Sequence, residues 1–135
     1  MFAVLALAPV PFAGCGGAIT PDELSRSIGT LESTAAEGAL LAKDVGGDRT
    51  KATFARVHAR DLSDVVDHEA EKLNDAQADE ANVAAAKTDA VDLADRIGTE
   101  LGQLQIAPDD EAGARKAEQA LNRLSEDAGK LADGL

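Results

Sequence analysis

A chain of 135 residues, with 25 acidic against 13 basic side chains and a formal net charge of −12, holds one small domain with a strongly anionic surface. Such a surface repels nucleic acid and anionic lipid headgroups alike, and no basic stripe or cluster of stacking aromatics is evident along it. Trp and Tyr are absent, which weakens the case for a sugar or nucleobase site, and the single cysteine, Cys15, excludes an internal disulfide.

The chain opens on a short apolar run from Phe2 to Ala8, which Pro9 and Pro11 limit to about eight residues, far below the ~20 that span a bilayer. Phe12-Ala13-Gly14-Cys15 follows, with Gly16 and Gly17 behind it. This stretch resembles the lipobox of bacterial lipoproteins, in which small residues precede a cysteine whose thiol receives a diacylglycerol. Phe12 stands where that family usually carries an aliphatic side chain. The resemblance covers residues 1–17 and carries over one residue, Cys15. It implies a signal segment over 1–14, a lipidated Cys15 with a flexible tether over 15–19, and a helical domain over 20–135. It also implies a protein held at the extracytoplasmic face of the cell membrane by its lipid, with another envelope protein as its candidate partner. An ordinary cleaved secretory signal, or an apolar arm on a cytosolic domain, are the other readings of the same run.

The first helix has a clear start. Thr20-Pro21-Asp22-Glu23 supplies a capping hydroxyl, a proline at the first helical position and a glutamate three residues after the cap. Leu24, Ile28, Leu31, Ala35, Gly38, Ala42 and Val45 then alternate in steps of four and three, the spacing of a bundle seam. Gly46-Gly47 is expected to end it.

A second helix is predicted to begin near Asp48 or Thr50, with Ala55, Ala59, Leu62, Val66, Glu69 and Leu73 on its seam and Val65 alongside. A third carries Val83, Ala86, Ala90, Leu93, Ile97, Leu101 and Leu104. No Gly or Pro interrupts residues 48–97, and the heptad phase runs on through Ala76, Glu80 and Val83. One continuous helix there would be roughly 80 Å long. It would also set Glu69 and Glu80 against a partner helix, so a break near Asn74-Asp75 and Asp79 is the expected arrangement. Pro108 is placed in the first turn of the last helix, followed by Asp109, Asp110 and Glu111 at its positive end. Ala114, Ala117, Leu121, Leu124, Ala128, Leu131 and Leu135 form its seam. The fold expected is all-α, an up-down four-helix bundle. The alternative is one long bent helix flanked by two shorter antiparallel ones.

Sites of chemistry are sparse. His58 and His68 are the only histidines, and each shares a helix face with an aspartate, Asp61 or Asp64. Imidazole and carboxylate together could take a divalent ion, yet ten residues between the histidines turn them roughly 80° apart. A solvated acidic face is the plainer reading, and no metal ligand is assigned. Glu-x-x-His pairs of the di-iron bundles, a haem-ligating methionine beyond Met1, a Gly-x-Ser-x-Gly turn and a phosphate loop are all missing. Gly98 and Gly102 have the spacing that lets two helix backbones approach, which predicts close packing inside the bundle, with a self-association face as the alternative. The expected protein is a small membrane-anchored envelope lipoprotein with a structural or protein-interaction role. It is expected not to be an enzyme, and no catalytic residue and no cofactor are assigned. A bundle that binds a small ligand or divalent metal is the alternative.

Overall fold

The computed structural model describes residues 17–135, and the chain in it folds as four helices: α1 (Pro21–Gly46), α2 (Ala52–Asp75), α3 (Ala81–Ile106) and α4 (Glu111–Asp133). The start of α1 follows from its capping box. The Glu23 amide donates to Thr20 Oγ1 at 3.2 Å, and the Thr20 amide donates to Glu23 Oε2 at 2.9 Å, so two amide donors are satisfied reciprocally. These bonds from Thr20 hold the Glu23 carboxyl below its ordinary pKa.

Hydrogen bonds between helices set the directions. On α4, Arg115 Nη2 donates to the Gly46 carbonyl at 2.8 Å, and Ser125 Oγ donates to the Glu32 carbonyl at 3.1 Å. The start of α4 therefore lies beside the end of α1. Gln105 Nε2 donates to Ser63 Oγ at 2.7 Å, which runs α3 antiparallel to α2. His58 on α2 meets Glu37 on α1 at 2.9 Å. An up-down bundle results. The most extensive contacts join α1 to α4 and α2 to α3, α1 also reaches α3 across the short diagonal, and α2 and α4 do not meet.

The core is the seam that the spacing predicts. All seven α1 seam positions from Leu24 to Val45 are buried, as are Ala55, Ala59, Leu62, Val66, Glu69 and Leu73 on α2. The α3 seam from Val83 to Leu104 and the α4 seam from Ala114 to Ala128 complete it, whereas Leu131 and Leu135 at the end of α4 are half-buried and Val65 on α2 is exposed. Periodicity alone does not reveal Ser27, Thr34, Ala39, Leu41 and Ala94, which are buried because each inner helix faces more than one neighbour. The Thr34 hydroxyl donates back to the Thr30 carbonyl at 2.8 Å, while Ser27 Oγ has no partner among the described residues.

Two boundaries and one buried carboxylate differ from the sequence expectation. First, α2 starts at Ala52 with Lys51 as its N-cap, because Asp48 is used to turn the chain: it takes φ 53°, a left-handed conformation that Asp tolerates better than most side chains. The adjacent glycines are not the left-handed residues. Gly46 serves proximity instead, since a Cβ there would lie 3.0 Å from Arg115 Cγ. Second, Pro108 lies ahead of α4, whose N-cap is Asp110, accepting from the Gly113 amide at 3.0 Å. Third, Glu69 is buried although α2 and α3 are separate helices. Its carboxylate reaches Lys72 Nζ at 3.3 Å, one turn away at the rim of the core.

Candidate functional site

Up-down order gives the bundle two distinct ends. The base carries the start of α1, the α2–α3 connection and the end of α4. At the other end, the tip, lie the α1–α2 and α3–α4 connections, roughly 39 Å away at 1.5 Å per residue over the 26 residues of α1.

At the base, the segment that precedes α1 is held in place. Ala18 bridges Gln77, the Ile19 amide donates to the Gln77 carbonyl at 2.7 Å, and the Ile19 side chain is buried in the core. Lys87 Nζ donates to the Ala76 carbonyl at 2.9 Å from the α3 side. Those two bonds pin residues 76 and 77 in extended backbone between α2 and α3. Cys15, the predicted lipid-attachment residue, and the rest of the lipobox lie outside the described residues. The chain enters the description at Gly17, two residues after that cysteine.

The histidine and aspartate face of α2 does not assemble. His58 points to Glu37 on α1 and stacks on Phe54, with ring centroids 5.6 Å apart. Asp61, Asp64 and His68 are exposed. Among the described residues no group of three or more His, Cys, Asp and Glu converges as a metal site would require. No helix described is long and apolar enough to cross a membrane.

Gly98 and Gly102 are not a close-packing motif inside this bundle. A Cβ added at Gly98 would come no nearer than 3.9 Å to Val66, and one at Gly102 would meet nothing within 4 Å. They border an open groove of about 390 Å³ between α2 and α3, below the Gln105–Ser63 bond. Both glycines fall off the apolar α3 seam, on the face that does not meet a close neighbour.

The tip holds what the average composition concealed. Four of the five large apolar side chains that are exposed among the described residues gather there: Leu40 near the end of α1, Phe54 and Val57 in the first turns of α2, and Ile106 at the end of α3. Residues 49–60 include Arg49, Lys51, Arg56 and Arg60 with no acidic residue, in a chain whose net charge is −12. Arg49 pairs with Asp44 at 2.9 Å. Among the described residues Lys51, Arg56 and Arg60 have no carboxylate within ion-pair distance. A twelve-residue charge window would have exposed this cluster, whereas the whole-chain balance buries it under the surrounding acids.

Compared with family models, with curated proteins and with solved structures, the chain finds no match.

Proposed function

We propose that this is a small lipid-anchored envelope protein with a non-enzymatic role, held to the extracytoplasmic face of a membrane through a lipid on Cys15 and presenting its bundle to a protein partner. The observation that carries the anchoring reading is the Phe12-Ala13-Gly14-Cys15 sequence, with Cys15 only four residues ahead of the buried, hydrogen-bonded Ile19. With Gly17 two residues after Cys15, a fully extended connection spans at most roughly 7 Å. The base of the bundle would then rest beside the lipid headgroups and the tip would project away from them. Exposed Asp22, Asp75, Asp79, Glu80 and Asp133 crowd that base, so headgroup charge would not contribute attraction and the acyl chains must supply the affinity.

Cys15→Ala tests this directly. In cells, the wild-type protein should sediment with membranes and incorporate labelled acyl chains, and the variant should be released and unlabelled. Isolation of the wild-type protein with Met1 in place and a free thiol on Cys15 would remove the proposal. The metal-binding alternative has no converging ligand set among the described residues in its favour.

A further inference from the structure

We propose that the tip is a docking site for a protein segment that carries carboxylates beside an aliphatic side chain. This deepens the interaction reading above and relies on the anchor only for the direction in which the tip points. Arg56, Val57, Arg60, Gln105 and Ile106 line a recess of about 450 Å³ between the start of α2 and the end of α3. Ile106 is 78% exposed and Val57 54% exposed, so two large apolar groups face water where burial would favour a partner. The cations interleaved with them are available. Arg56 uses its Nε on the Gln105 carbonyl at 3.3 Å, which holds the guanidinium over the recess without neutralising it. Arg60, one turn further along α2, is exposed and has no acidic partner among the described residues. Apolar contact with flanking carboxylates is the chemistry that satisfies both features, and guanidinium groups bind carboxylates in a forked geometry.

The other occupants fit less well. A second copy docked tip to tip would set Arg56 and Arg60 against their own counterparts, so like charges would oppose a two-fold contact. A flat anionic membrane covering this end would also meet Asp48, Asp109, Asp110 and Glu111, which are exposed on the same end of the bundle. A short polypeptide segment can occupy the recess alone, whose lining carries no carboxylate, and so avoid them. Beyond Gln105 the neighbouring groove beside Gly98 and Gly102 carries Asp67 and Asp95, so the carboxylates of the segment belong at the recess and not along that groove.

The test uses the full chain in its host cells, with a photo-crosslinking amino acid replacing Val57 or, separately, Ile106, and a control replacing Asp92. Irradiation should join the tip positions to a protein whose crosslinked peptide contains Asp or Glu next to an aliphatic residue. The yield should fall about tenfold in Arg56→Glu/Arg60→Glu and return in Arg56→Lys/Arg60→Lys. Unchanged circular dichroism and melting of the glutamate variant show that the loss is not unfolding. The proposal is overturned by crosslinks to a second copy or to lipid alone, by a yield no higher than the Asp92 control, by a joined peptide without acidic residues, or by indifference to charge reversal. Membrane fractionation of the same cells reads the anchor separately, so a failed anchor and a failed docking site give different results.

Discussion

Glycine plays opposite parts on the two sides of this bundle. On the α1–α4 side, Gly38 sits where an added Cβ would lie 2.8 Å from Leu101 Cδ2 and 3.2 Å from Leu121 Cδ1. Together with Ala35, Ala39 and Ala42 it lets α1 settle closely against its neighbours. On the α2–α3 side, Gly98 and Gly102 touch almost nothing and leave a groove. The same residue therefore offsets its helix penalty by packing in one place and leaves it uncompensated within the chain in the other. Glycine count and spacing do not distinguish these cases; the face on which each residue falls does.

The comparison can be broken most forcefully at the close-packed side. Leu101 is fully buried opposite Gly38, so Leu101→Ala should leave a cavity and cost about 2–5 kcal/mol in denaturant unfolding. Gly38→Val tests the same contact from the other side. It forces branched bulk against Leu101 and Leu121 and should destabilise by about 1–3 kcal/mol. Combining the two should cost less than the sum of the single effects, because each relieves the other's misfit. Additive costs would show that the contact is not shared.

Gly102→Ala is expected to reverse the sign. Nothing lies within 4 Å of the new methyl group, so the helix should gain up to about 1 kcal/mol, visible as a raised melting temperature. A loss of stability would mean that the groove closes more tightly than it stands here.

The smallest effect concerns the base. Glu23 has a folded pKa below its ordinary value, so its contribution is complete above that ordinary value. It is lost as pH falls through the lower folded pKa. Thr20→Ala removes the bonds responsible, and its stability should decline less steeply than that of the wild type over this acidic range. Parallel pH profiles would show that the capping box has no titration consequence.

Much of this was legible from residue spacing. The four-and-three steps placed each α1 seam residue inside, and Thr20 with Glu23 announced the cap that forms. The separation of α2 and α3 was expected for a reason only half realised. Glu80 is exposed beyond the break, but Glu69 stays buried because its chain can reach Lys72 at the rim. The break is held by Ile19, remote in sequence, and by Lys87 of the next helix, which donate to the backbone carbonyls of Gln77 and Ala76. The basic run over residues 49–60 does not show in a whole-chain charge, because acids elsewhere cancel it.

By itself, the order of residues determined where helices could run and which face of each would seek the interior, because a 3.6-residue turn repeats its apolar side in every sequence context. Only the tertiary arrangement decided which seams would close tightly, which glycines would be covered, and which side chains would meet across the helices. Those outcomes depend on contacts between segments such as Arg56 and Gln105, 49 residues apart, whose meeting no local pattern encodes.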